Sequence, residues 1–146
     1  LLYLNKIPLL VFSAGLGDFI NEFYKKQNLL ADNVHIISNF FRFDNCGKAI
    51  GSFRPFITSY SKGEVIMKNF SYHKEIESRK NVILLGDSIG DANMSDGLEH
   101  DAVIKIGFFN DGTEQDVEKF EKLYDILILN DGPMDYVIEL LDEIMS

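Results

Sequence analysis

Short apolar runs alternate with amphipathic stretches along the chain, and the alternation sets the expected architecture. Residues 7–12 (IPLLVF) are an unbroken apolar run stopped by Ser13-Ala14-Gly15, the pattern of a buried strand leading into a small-residue turn. Residues 18–27 carry Phe19, Ile20, Phe23 and Tyr24 at helical spacing. Residues 34–38 (VHIIS) predict a second strand. In FFRFDNCGKAIGSF, residues 40–53, Asp44-Asn45-Cys46-Gly47 lies between apolar runs and predicts a hairpin. A short extended piece is expected at 57–60 and a helix with polar faces at 63–78.

The second half repeats the rhythm. Residues 81–85 (NVILL), 104–109 (IKIGFF) and 125–129 (DILIL) predict three further strands. Thr113-x-x-Asp116 resembles a capping box opening a charged helix, with Asp a shorter partner there than Glu. A closing helix is expected to bury Met134, Val137, Ile138 and Leu141, with Pro133 in its first turn. FFNDG and LILNDG echo each other as one strand-exit turn used twice. Apolar strands separated by helices imply an α/β fold, a parallel Rossmann-like sheet covered on both faces, with a small β-hairpin after the second strand. Such sheets bind ligands at the carboxyl ends of their strands.

Composition narrows the function. The 146 residues suffice for one core, and 46% apolar with 25% charged residues is globular composition. No apolar run approaches the roughly 18 residues of a spanning helix, and no basic leader with a cleavage site is evident, so no membrane partner is expected. The single cysteine, Cys46, cannot form an internal disulfide, which fits a reducing, cytoplasmic setting. The net charge of −9 argues against nucleic acid as a partner. Lys25-Lys26 and Arg79-Lys80 are isolated pairs near predicted helix ends, where cations oppose the dipole. An acidic protein that holds a small anion needs a metal ion, a specific lysine or backbone N–H groups.

Three places meet that need. Ser13-Ala14-Gly15 offers a hydroxyl and exposed backbone N–H groups. Lys62 follows the piece at 57–60. In LLGDSIGD, Asp87 ends the third core strand and Asp91 returns one helical turn later. A strand-end carboxylate is a rigid oxygen ligand, and Mg²⁺ takes few protein carboxylates, keeping waters or phosphate oxygens elsewhere. Gly86 allows the sharp turn and Gly90 clears space for the next helix. Asp91 would then hold Lys62 or a metal-bound water, while Ser13 donates to a phosphate oxygen and Lys62 neutralises developing charge. Each residue alone has an ordinary reading: a turn serine, a solvated lysine, two helix-capping acids. Other motifs fail. Asp91-x-Asn93-x-Ser95 starts like a calcium loop but has Asp96 where Gly is needed and Ala102 where Glu is needed. His35, His73 and His100 lack zinc spacing. Ser13 lacks a nucleophile elbow, and GLG at 15–17 lacks the rest of a dinucleotide loop.

Taken together, IPLLVFSAGLGD, VHIISNFFRFDNCGKAIGSF, Ser61-Lys62, NVILLGDSIGDANMSDG, KIGFFND and YDILIL resemble the cytosolic 5′-nucleotidase III family. That family comprises pyrimidine 5′-nucleotidases and a 7-methylguanylate-acting relative among the haloacid-dehalogenase-like phosphohydrolases. The resemblance covers nearly the whole chain. It implies that Ser13 and Ala14 bind phosphate, that Lys62 contacts phosphate, that Asp87 ligates Mg²⁺ and that Asp91 orients the lysine or a metal water. It also implies a nucleoside 5′-monophosphate substrate hydrolysed through an aspartyl-phosphate.

Family members carry an Asp-x-Asp strand that supplies nucleophile and general acid, followed by a helical cap. This chain contains no Asp-x-Asp pair. The expectation is therefore a single partial core over 1–146, with central first strand and cap missing, inactive by itself. Strand edges left open between the strands ending at Ser13 and Asp87 would invite association. Two alternatives stand beside this. One is a non-catalytic phosphate- and Mg²⁺-binding relative. The other is a receiver-like phosphoacceptor, disfavoured because its acids belong at the end of the first strand, where Ser13 stands.

Overall fold

A computed structural model describes residues 1–59, 61–62, 73–97 and 99–146. In chain order the elements are β1 (Leu9–Leu16), α1 (Gly17–Lys26), β2 (Val34–Asn39), β3 (Phe41–Phe43) and β4 (Ala49–Ser52). They continue with α2 (His73–Glu77), β5 (Asn81–Gly86), a 3₁₀ helix (Ile89–Asn93), β6 (Ala102–Phe109), α3 (Glu114–Glu121), β7 (Ile126–Leu129) and α4 (Asp135–Met145). The predicted helix at 63–78 falls mostly outside the described residues; its end is helical as α2.

The described strands form three sheets. β1 and β2 pair in parallel, β3 and β4 make the expected antiparallel hairpin, and β5-β6-β7 is a parallel sheet in that order. Among the described residues β1 and β5 each pair on one side only.

Period-two alternation distributes the apolar runs over two faces. Val82, Leu84, Phe109 and Leu127 pack with Ala92, Phe120 and Tyr124, beneath the 3₁₀ helix and α3. Ile83, Leu85, Ile104, Ile106 and Ile128 pack with Val137, Leu140 and Leu141 of α4. Around the β1–β2 pair, Ile37 meets Ile57 and Ile76, with Leu10, Phe12 and Ala14 alongside.

Several expectations are corrected. Met134 and Ile138 are 45% and 46% exposed, because α4 turns Val137, Leu140 and Leu141 to the sheet and leaves those two on its flank. Pro133 precedes the helix, whose N-cap is Met134. Ser13-Ala14-Gly15 is an irregular end of β1, which runs on to Leu16. Residues 57–59 form no strand, so Lys62 follows a turn. That turn is closed by the Thr58 N–H and hydroxyl on the Ser61 hydroxyl, at 3.0 and 2.9 Å.

The echoing turns meet at one edge. The Asp131 N–H donates to Asn110 Oδ1 (3.0 Å) and the Asn130 N–H to the Phe109 carbonyl (3.2 Å).

Candidate active site

Asp91 organises the carboxyl edge of β5. It is 3% exposed on the 3₁₀ helix, and its Oδ2 accepts the N–H groups of Asp87 and Ser88, each at 3.1 Å. Ser88 is the N-cap of the 3₁₀ helix and Asp87 the residue before it, so one carboxylate oxygen closes the turn into the helix as a capping box does. The other, Oδ1, forms an ion pair with the Lys62 ammonium. Burial opposes ionisation of Asp91, but the Lys62 and Ser88 hydrogen bonds and the Lys62 charge outweigh it and hold the carboxyl below its ordinary range.

Asp87 goes the other way. Partial desolvation pushes its carboxyl up, the neighbouring Asp91 adds to that, and Lys62 offsets only part of it. An acid disfavoured as an anion, at the mouth of a cleft, would be relieved by a cation beside it. Asp87 therefore fits one corner of a Mg²⁺ site, the ion's other positions going to waters and substrate oxygens. Among the described residues no group of three or more His, Cys, Asp or Glu side chains forms a fuller metal cage.

Two glycines make this packing possible. A Cβ on Gly86 would lie 2.6 Å from the Tyr124 hydroxyl and against the Asp91 Cβ. A Cβ on Gly90 would run into the Ser59 carbonyl oxygen. The space Gly90 leaves is thus occupied by the backbone three residues before Lys62, which lets the lysine reach Asp91. Tyr124 closes the other side, its hydroxyl donating to the Ser88 carbonyl at 2.6 Å. Burial, then Asp91 and Asp87, raise its phenol above the ordinary range, so it remains a donor at physiological pH.

An open cleft of about 670 Å³ lies here, lined by Ser59, Lys62, Asp87, Gly90, Asp111 and Phe109 among others. Lys62, Asp87 and Asp91 are brought together as the sequence predicts. Ser13 and Ala14 do not line this cleft. They sit in a bulge, where Ser13, Ala14 and Gly15 oppose Ser38 alone between the pairs Phe12–Ile37 and Leu16–Asn39. Ser13 Oγ accepts the Gly15 N–H at 3.1 Å, which leaves its proton available. Asn39 and Tyr124 escaped the sequence reading. A polar residue closing an apolar strand is the signal for Asn39; nothing local marks Tyr124.

The chain is thus an α/β protein with parallel strands and an acid–lysine–acid cluster at the carboxyl end of β5, and comparison with known proteins places it further. The pyrimidine 5′-nucleotidase (UMPH-1) family model matches residues 1–145, and the chain belongs to that family. It is 39% identical over 145 residues to a mouse 7-methylguanosine phosphate-specific 5′-nucleotidase, covering 99% of this chain and 48% of that protein. The human protein of the same description is 40% identical over 145 residues, with the same coverages of 99% and 48%. The crystal structure of cytosolic 5′-nucleotidase IIIB bound to cytidine superposes with a TM-score of 0.92 at 36% identity, over 99% of this chain and 49% of that one. The chain thus spans about half the length of the curated relatives it matches.

Proposed function

We propose that this chain supplies the phosphate- and metal-binding half of a Mg²⁺-dependent 5′-nucleotidase acting on nucleoside 5′-monophosphates of the pyrimidine or 7-methylguanosine type. The observation that carries the proposal is the Lys62–Asp91 ion pair set beside the Asp87 carboxylate in an open cleft.

Each residue has a role its surroundings support. Asp91, fixed by two backbone N–H groups, aims the Lys62 ammonium at the cleft rather than leaving it to solvent. Lys62 then neutralises charge on the transferring phosphoryl group. Ser13 and Ala14 lie outside the cleft, in the bulge of β1; the family resemblance assigns them to the phosphoryl oxygens, Ser13 through its uncommitted hydroxyl proton and Ala14 through its N–H. Asp87 would hold Mg²⁺, which would polarise the phosphoryl group. The nucleophilic aspartate that forms the aspartyl-phosphate is assigned to sequence outside these 146 residues, on a strand between β1 and β5, each of which pairs on one side only among the described residues.

The test is phosphate release from cytidine, uridine and 7-methylguanosine monophosphates with Mg²⁺, by this chain and by the same chain extended upstream. Release by the extended protein only is expected. Release by the 146-residue chain would overturn the placement of the nucleophile, and release by neither would overturn the function.

A further inference from the structure

The bulge that carries Ser13 and the turn that leads to Lys62 are joined by one side chain. Asn39, the last residue of β2, donates from Nδ2 to the Ala14 carbonyl (2.8 Å) and to the Ile57 carbonyl (2.9 Å). Its Oδ1 accepts the Ile57 N–H at 2.8 Å. Both amide protons and the carbonyl oxygen are thus engaged, all with backbone. The orientation is fixed: reversing the amide would set an oxygen against two carbonyl oxygens.

Bridging the bulge explains only half of this. Where the β1–β2 ladder lapses, the Ser38 hydroxyl takes the Gly15 carbonyl at 2.9 Å and Asn39 takes that of Ala14. The two bonds to Ile57 contribute nothing to that pairing. They tie β2 to a buried residue two positions before Ser59, whose carbonyl rests on Gly90. A continuous path therefore runs from Ser13-Ala14 through Asn39 and Ile57 to Ser59, Gly90 and the Lys62–Asp91 pair.

We propose that Asn39 is a positioning residue of the phosphate site, tying the Ser13–Ala14 bulge, which lies outside the Lys62 cleft, to the segment leading into Lys62 and so fixing the spacing at which the two meet a phosphoryl group. The inference rests on the nucleotidase reading above. An Asp at this position keeps the acceptor for the Ile57 N–H but turns the two donated bonds into repulsions. Ala removes all three.

The experiment uses the full-length protein with Mg²⁺ and reads binding of inorganic phosphate by calorimetry, alongside kcat, KM and thermal midpoint. Asn39→Ala, Asn39→Asp and Ser13→Ala are compared with Ile37→Val, which trims the same core cluster without touching a polar contact. Both Asn39 variants are expected to weaken phosphate binding by about tenfold or more, the scale of losing hydrogen bonds to a charged ligand, with kcat falling in step. Ile37→Val is expected to lower the midpoint and leave phosphate affinity unchanged. Asn39 variants that lose midpoint yet keep phosphate affinity, while Ser13→Ala loses it, would overturn the positioning role alone. Phosphate affinity insensitive to Ser13→Ala as well would overturn the site reading beneath it. If Asn39→Ala does not fold, Asn39→Asp carries the same comparison.

Discussion

Asp91 draws a lysine and two backbone N–H groups to the carboxyl edge of β5. One carboxylate serves two purposes, capping a short helix with one oxygen and steering Lys62 with the other. The spacing in GDSIGD made the pair of acids conspicuous, because Asp four residues after Asp87 returns to the same side of a turn. What the spacing did not reveal is that the two acids are driven apart, Asp91 toward its anion and Asp87 away from it. That difference depends on Lys62, which approaches from distant sequence.

Two substitutions test this scale. Asp87→Asn removes a carboxylate that its surroundings disfavour, so with a chelator the full-length variant should melt at or above the wild-type temperature. Added Mg²⁺ should raise the midpoint of the wild type and leave the variant unmoved; an equal Mg²⁺ shift in both would take the metal away from Asp87. Gly90→Ala sets a methyl group against the Ser59 backbone, which is less yielding than a side-chain tip. Turnover by the full-length protein should fall by about tenfold or more as Lys62 is displaced. Unaltered turnover would show that the Ser59 approach is not needed to place the lysine.

At the scale of elements, continuous apolar runs marked the core strands well, since strands buried on both faces need no alternation. The ends were less legible. β1 continues through Ser13-Ala14-Gly15 because Ser38 and Asn39 replace the lost ladder bonds from the neighbouring strand. The expected strand before Lys62 is absent from 57–59 because Asn39 and Ser61 satisfy that backbone instead. Helical spacing selected four α4 positions for burial, but Leu140 shares the sheet-facing side with Val137 and Leu141 while Met134 and Ile138 lie outside it. Spacing finds a stripe; the width of the sheet beneath decides how much of the stripe is covered.

The α3 cap was read correctly from Thr113-x-x-Asp116. Asp116 accepts the Thr113 N–H (3.1 Å) and hydroxyl (2.7 Å) and pairs with Lys119 (2.7 Å). Lys119 foremost, then Thr113, hold its carboxyl well below the usual range. A depressed folded-state value means that the cap's contribution is present above the ordinary carboxylate range and is lost as pH falls through the depressed value. The Thr113 amide resonance should therefore titrate with a midpoint below about 3.9. A midpoint at or above that value would show that the cap does not form.

Across the whole molecule, the described strands gather into the β1–β2 pair, the β3–β4 hairpin and the β5–β6–β7 triplet, and β1 and β5 lack a second partner among the described residues. Lys62–Asp91 and Ser59 on Gly90 connect the segment packed on the first sheet to the helix that follows β5. Among the described residues no helix is long and apolar enough to cross a membrane. Unpaired edges are templates for other chains. The 146-residue chain by itself should therefore sediment as concentration-dependent oligomers; a monomer unfolding in one step, independent of concentration, would contradict this. The proposed phosphate site was legible only in part. Sequence order singled out Ser13, Lys62 and Asp87, whereas the link between the first and second of these runs through Asn39, which only the folded chain reveals.

The most direct test of the proposed phosphate–metal corner is the turnover of nucleoside 5′-monophosphates by the full-length protein carrying Lys62→Met or Asp87→Asn, at the Mg²⁺ concentration that saturates the wild type. Loss of the Lys62 charge aimed at the transferring phosphoryl, or of the Asp87 carboxylate that would hold Mg²⁺, should lower kcat by about a hundredfold or more, with the fold intact by circular dichroism. Either variant turning over at the wild-type rate would contradict the assignment of that corner.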